Sequence, residues 1–183
     1  MRNKLKEKLL LYKIKAKRDP EAFGEIYDTY ATKIYRFIYF KVASEQEAED
    51  LSSEVFLKAW NYLTGEKPVK SIGALLYTIA RNHVIDHYRQ KKFEVELQEA
   101  AFKPMIDEDS LSELEKQADL ARVYQALSKL KDEYREIVVM RYLDELSIPE
   151  IASIVDKSLN NVRVLSHRAI NALREILEKE DNK

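Results

Sequence analysis

Apolar residues recur at helical spacing along most of the chain, and polar breaks divide the pattern into segments. Ala48, Leu51, Val55 and Ala59 mark one face of a stretch from Ser44 to Leu63, the period of a helix with one side buried. Ser44 is placed to cap its first turn, and Glu47, three residues on, completes a capping box. Phe56 and Trp60 form an aromatic pair at i, i+4. Upstream, Asp19-Pro20-Glu21 gives an N-cap, a first-position proline and a first-turn acid. The helix it opens carries Phe23, Ile26, Tyr27, Tyr30, Ile34, Phe37 and Ile38 at helical spacing, an aromatic-rich core face. Gly65 and Pro68 end the Ser44 helix and make a polar loop. Ser71 to Lys92 is the next helix, with Ile72, Leu75, Leu76, Ile79, Val84 and Ile85 on its buried side and a polar second half.

The character changes from Phe93 to Gln117, which holds eight acids, two lysines and a proline at 104. That composition predicts a flexible acidic linker. Beyond it, Leu120, Val123, Tyr124, Leu127 and Leu130 define an amphipathic helix, and Lys131-Asp132 starts another. Ser147 and Glu150 form a second capping box around Pro149, opening a short helix with Ile148, Ile151, Ala152 and Val155 inward. Asp156-Lys157 breaks it, and Ser158 caps a third helix with Val162, Ala169 and Leu173 inward. The break lacks glycine, so Asp156 or Lys157 must take any positive φ there. Two short helices joined by a tight turn, the second polar and basic, form a helix-turn-helix. A packing corner in a helical bundle has the same pattern. Residues 1–18 carry eight Lys or Arg against one Glu, with Leu5, Leu9, Leu10, Tyr12 and Ile14 interleaved. They fit a short amphipathic helix or a frayed, solvated arm, and the arm is favoured.

The fold class that follows is all-α: two small helical bundles joined by a flexible linker, the second containing a helix-turn-helix. The first bundle takes residues 1–92, the linker 93–117 and the second bundle 118–183. Three glycines and four prolines among 183 residues argue against hairpin-rich β architecture. The absence of cysteine rules out disulfides and thiolate metal sites and fits a reducing cytoplasm. No apolar run approaches membrane-span length, so no membrane insertion is expected, and no secretory signal is evident.

Net charge is −1, so any nucleic-acid footprint must lie in the distribution of charge. Residues 45–59 carry five acids and one lysine, and Glu47, Asp50 and Glu54 line up beside the apolar stripe. Such a face is either ordinary solvated surface or a dock for a basic partner. Residues 81–92 hold four cations and one acid. Arg81, Asn82, His83, Asp86, His87, Tyr88 and Arg89 mix amide, aromatic and basic groups, a set that suits phosphates and bases. A helix end favoured by the dipole explains Lys91 and Lys92 but not Asn82. In the helix after Ser158, Asn160, Asn161, Arg163 and His167 offer base-reading chemistry: Asn pairs adenine bidentately, Arg pairs guanine. His83 and His87 stand at i, i+4, a spacing that can hold a metal. No third ligand accompanies them, and an exposed or DNA-facing pair is the preferred reading. No phosphate-binding glycine loop exists, and no cofactor, metal site or catalytic group is expected.

Four motifs in order, DPEAFGEIYDTY, EAEDLSSEVFLKAW, LYTIARNHVIDHYR and LKDEYREIVVMRYLDELSIPEIASIVDKSLNNVRVLSHRAINAL, resemble the extracytoplasmic-function (ECF) sigma factors of bacterial RNA polymerase. That group keeps two helical domains, region two and region four. The resemblance covers residues 19–92 and 118–177. It implies a promoter-specificity subunit, not an enzyme, whose partners are core RNA polymerase and promoter DNA, often with an anti-sigma factor. It implies a polymerase-docking face with Glu47, Asp50, Leu51, Glu54 and Phe56. A −10 surface takes Lys67, Lys70, Ser71, Arg81, Asn82, His83, Asp86 and Arg89, the loop and Asn82 holding a flipped base. A −35 surface takes Ser158, Asn160, Asn161, Arg163, Val164, His167 and Arg168. The chain departs from the family at four places: Ser53 replaces a usual glutamine, Leu75 a tryptophan, Asn161 a threonine and Leu165 a basic residue.

Two other classes compete. A stand-alone helix-turn-helix regulator leaves the first bundle unexplained and needs a dimer seam that the sequence lacks. An enzyme would have to draw on His83, His87 and His167, which assemble no known constellation.

Overall fold

The computed structural model describes residues 2–42, 44–65, 67–96 and 118–181, and side chains within 5–42, 44–65, 67–91 and 122–179. The predicted acidic linker lies outside the described residues from 97 to 117. Every regular element among the described residues is helical. The chain divides into two units, Met1–Ile38 with Gln46–Phe102, and Tyr39–Glu45 with Lys103–Lys183.

The first unit is built from α1 (Arg2–Lys17), α2 (Pro20–Tyr39), α3 (Glu45–Leu63) and α4 (Ile72–Glu96). α2 begins where Asp19 accepts hydrogen bonds from the backbone N–H groups of Glu21 and Ala22, at 3.0 and 3.2 Å. The predicted stripes of α2 and α3 are inside: Ile26, Ile34, Phe37 and Ile38 of α2, and Ala48, Leu51, Val55 and Ala59 of α3. From α4 come Ile72, Leu76, Tyr77, Ala80 and Val84. Phe37 and Tyr77 meet edge to face at 5.1 Å in the middle of this core. Each large apolar side chain among these contributes about 1.5–3 kcal/mol relative to exposure. Gly73 lets the start of α4 sit against Tyr30, whose hydroxyl lies 3.2 Å from where a Cβ would be.

Two expectations are corrected here. The frayed N-terminal arm is instead helix α1. Leu10 and Ile14 lie on one face at i, i+4 and are buried, and the Tyr30 hydroxyl donates to Glu7 at 2.9 Å. That burial offsets the entropy of ordering the segment, which periodicity alone could not weigh. Ile85, expected on the buried side of α4, is 49% exposed, because the stripe follows Ile72, Leu76, Ala80 and Val84 and leaves position 85 on the opposite side.

The second unit holds α5 (Ala118–Ser128), α6 (Asp132–Val138), a π turn (Val139–Leu143), α7 (Ile148–Val155) and α8 (Leu159–Asp181). Arg135 closes the α5–α6 corner. Its guanidinium donates to the carbonyls of Leu127 at 3.1 Å, Ser128 at 3.3 Å and Leu130 at 2.9 Å. These carbonyls lie at and just past the end of α5, where helical partners run out; that of Leu127 also accepts from the Leu130 N–H at 3.1 Å. The π turn ends with Asp144 N–H bonded to the carbonyl of Val139 and Leu146 N–H to that of Met140. Arg141 then donates to the Leu146 carbonyl at 2.8 Å, fixing the approach to α7.

Candidate nucleic-acid and partner interfaces

The outer face of α3 is acidic, and its acids are not equivalent. Glu47 pairs with Lys91 at 2.6 Å and lies 3.6 Å from His87. Glu54 lies 2.8 Å from His83 and 3.8 Å from Lys58. Asp50 stands between them, exposed. Two of the three acids therefore lash α3 to α4, while Asp50 projects outward. Leu57, one turn beyond Glu54 on the same side, is 63% exposed.

His83 is the node of this lashing. The Lys58 ammonium donates to its Nδ1 at 2.6 Å, and its Nε2 faces Glu54. This network assigns the proton to Nε2 in the neutral ring. Burial first, then the Lys58 cation, hold its pKa below the usual histidine value, against the pull of Glu54. His83 and His87 thus turn toward acids of α3. Among the described residues, no group of three His, Cys, Asp or Glu side chains could hold a metal.

On α4, Asn82, Asp86 and Arg89 are exposed and follow one another at i, i+4 and i+7, with Ile85 beside them. Arg89 pairs with Asp86 at 3.1 Å. Arg81 is half-buried. The loop before α4 presents Lys67 and Lys70, both exposed. The Lys67 ammonium lies 5.6 Å from the centre of the Tyr62 ring. Ser71 caps α4, its hydroxyl accepting from the Ala74 N–H at 3.2 Å.

In the second unit, Ser147 and Glu150 form the predicted capping box at the start of α7. Asp156 takes the left-handed conformation, φ 53° and ψ 50°, and Lys157 N–H bonds back to the Ala152 carbonyl at 3.1 Å. This closure turns the chain straight into α8. Ser158 caps α8, accepting from Asn161 N–H at 3.2 Å. Val162, Ser166, Ala169 and Leu173 are buried on one side of α8. Asn160, Asn161, Arg163, Val164, His167 and Arg168 are exposed on the other. Five polar side chains and one small apolar one then share a helix face with no acid among them.

Comparison with known proteins decides what this arrangement belongs to. Residues 26–94 match the family described as Sigma-70 region 2, and residues 120–173 match Sigma-70, region 4. SigW of Bacillus subtilis, an ECF RNA polymerase sigma factor, is 32% identical over 174 residues, spanning 88% of this chain and 91% of SigW. The chain belongs to the ECF RNA polymerase sigma factors. The ECF sigma factor BldN of Streptomyces coelicolor is 33% identical over 165 residues, which are 87% of this chain and 61% of BldN. Among solved structures, the fold resembles CnrH, determined with the cytosolic domain of CnrY. The TM-score is 0.71 at 23% identity, over 95% of this chain and 98% of that one. It also resembles RpoE of Bartonella quintana, determined with the anti-sigma factor NepR. There the TM-score is 0.72 at 22% identity, over 85% of this chain and 96% of that one.

As a sigma factor, the chain is a transcription-initiation subunit that works with RNA polymerase at promoters, and the site residues carried over from its family can be sorted by exposure. Asp50 and Glu54 lie on the surface of α3. Leu51 and Phe56 do not: both are 5% exposed. Phe56 packs edge to face on Tyr27 at 4.7 Å and on Phe23 at 6.5 Å. They hold the sigma factor's own core, and Leu51 belongs to the stripe that the period of α3 already put inside. Leu57 was missed. Its signal was an apolar side chain outside that stripe, three residues after Glu54. The four family departures also sort: Ser53 and Asn161 are exposed, while Leu75 and Leu165 are half-buried. No helix among the described residues is long and apolar enough to cross a membrane.

Proposed function

We propose that this sigma factor grips core polymerase with the outer face of α3 and reads promoter DNA with both units. Asp50, Glu54 and Leu57 meet a basic, partly apolar surface of the polymerase. The Lys67–Ser71 loop with Asn82 holds a flipped base of the −10 element, and Arg89 and Arg81 contact its backbone. Melting costs unpairing and unstacking, so the exposed strand must be captured by stacking and charge. The −35 element stays double-stranded and needs only groove readout by α8. The protein contributes no chemistry to phosphodiester synthesis.

The observation that carries this reading is the exposed α8 face from Asn160 to Arg168 set opposite a buried stripe, the disposition a recognition helix requires. CnrH and RpoE were each solved with a partner. An anti-sigma protein that covers the α3 and DNA-reading faces is accordingly a proposed regulator here.

The test is co-elution of the purified protein with core polymerase, followed by promoter opening. Asp50→Arg with Glu54→Arg abolishes co-elution while leaving the helical content intact. Unchanged binding by that variant sinks the α3 assignment. Tight, sequence-specific duplex binding without polymerase would favour a free-standing regulator instead.

A further inference from the structure

α1 has two apolar faces, and only one is covered. Leu10 and Ile14 are buried in the bundle, whereas Leu5, Leu9 and Tyr12 are 74%, 55% and 66% exposed. These three stand at i, i+4 and i+7, one stripe along the helix. The stripe ends at a cleft of about 470 Å³ lined by Leu11, Tyr12, Lys15, Ala16, Pro68 and Val69. Its far wall is the same loop that carries Lys67 and Lys70. The two walls are tied together, since the Lys15 ammonium donates to the Lys67 carbonyl at 2.6 Å.

The chemistry of the cleft restricts its occupant. Among the described residues, Lys15 is the one charged side chain lining it. α1 holds seven Lys or Arg against one Glu, and Lys70 is exposed on the adjoining loop. An exposed aromatic ring within a basic surface is the combination that holds a single-stranded nucleic acid: the ring stacks a base and the cations take phosphates. The cleft is shallow and open on its outer side, so a planar base can lie across it against the Tyr12 ring. It is also continuous with the loop assigned to the −10 element.

We infer that α1 is part of the promoter-opening surface: an unpaired base of the melted strand, next to the one held by the Lys67–Ser71 loop, enters this cleft and stacks on Tyr12. This inference rests on the −10 reading of that loop and adds a second base site to it. α1 thereby has a reason to be ordered beyond its buried face. Tyr12, the residue of the outer stripe that lines the cleft, is covered when the strand is open.

The test uses holoenzyme reconstituted with core polymerase, on a promoter that the same holoenzyme enriches from a randomised library. A photo-crosslinking benzoylphenylalanine replaces Tyr12 in one preparation and Asn82 in another. Crosslinks from both positions to the melted strand, at neighbouring nucleotides, support the inference. A crosslink to DNA from position 82, with position 12 reaching only polymerase or nothing, overturns it and leaves the −10 reading intact. Failure at both positions removes that reading and this inference with it. In parallel, Tyr12→Ala weakens binding to a fork-junction DNA with an unpaired −10 strand about tenfold. Tyr12→Phe keeps it, because stacking needs the ring and not the hydroxyl. Equal binding by wild type and Tyr12→Ala also overturns the site.

Discussion

Nε2 of His83, on the helix assigned to the −10 element, lies 2.8 Å from a carboxylate oxygen of Glu54, on the helix assigned to polymerase. The contact makes one histidine a strut between α3 and α4, and its protonation state bears on how the two helices are held together. His83 is held below the ordinary histidine pKa of 6.5. As pH falls, the unfolded chain therefore takes up this proton before the folded one does. Stability tied to His83 is intact above about 6.5 and is lost as pH drops from there toward the folded value. His83→Gln removes that part of the acid loss. Urea midpoints measured from about pH 7.5 down to about pH 5.5 should fall less steeply for the variant. Parallel curves would count against the strut.

Leu51 and Leu57 should separate folding from docking. Leu51 is 5% exposed and Leu57 63%. Leu51→Ala leaves a cavity in the first unit and costs about 2–5 kcal/mol of stability. Leu57→Ser stays within about 0.5 kcal/mol of wild type in stability, yet lowers affinity for core polymerase about tenfold or more if it is a buried contact in that interface. Denaturant titration and a core-binding titration on the same two variants decide the matter. A Leu57→Ser protein that binds core as wild type does removes Leu57 from the interface.

The turn before α8 depends on Asp156 at φ 53°. A left-handed residue costs L side chains roughly 1–2 kcal/mol, least for Asp and Asn, and glycine nothing. Asp156→Gly is expected to match or slightly raise stability, while Asp156→Val lowers it by about 1–2 kcal/mol. Hydrogen exchange of the α7 and α8 amides reads this locally. Equal protection in the two variants would show that the turn does not need this conformation.

Ser147 receives the Glu150 N–H, and Glu150 receives the Ser147 N–H at 2.9 Å. Removing the cap with Ser147→Ala costs about 1 kcal/mol and should raise exchange of the first α7 amides before any others. Because α7 braces α8, promoter affinity of the holoenzyme falls modestly with no change in preferred sequence.

Readout by α8 makes a sharper demand. Arg163→Ala is expected to cost about 1–3 kcal/mol at promoters and to relax preference at one or two −35 positions. Replacing Lys157, which pairs with Glu133 at 3.2 Å, should leave the preferred sequence alone. Selection from a randomised −35 library with each holoenzyme tests both. An unchanged sequence preference for Arg163→Ala would remove it from base readout.

Much of this was legible in the residues because local rules govern it. The Ser147-x-x-Glu150 box, the core stripe of α3 and the break at Asp156 all depend on neighbours within a turn or two. The inner and outer faces of α8 follow from its period as well. The docking residues that the resemblance implies show where resemblance and exposure part. Leu51 sits on the stripe that the period puts inside, and Leu57, off that stripe, is the apolar residue that reaches solvent. α1 was misread because its helix is stabilised by contacts with α2 and the loop before α4, such as Glu7 with Tyr30 and Lys15 with the Lys67 carbonyl.

By itself the sequence determined the helices, most of their caps and their inward faces, since hydrogen bonding and side-chain period act over a few residues. It also carried the family, through motifs in a fixed order. The tertiary structure alone decided which charges are engaged. His83 meets Glu54, and His87 with Lys91 meets Glu47, across separations of 29, 40 and 44 positions in the chain. No helical period can predict such meetings, because they exist only once α3 and α4 have packed. The same packing set Tyr12 of α1 beside the loop of Pro68 and Val69, joining two stretches that the sequence keeps far apart.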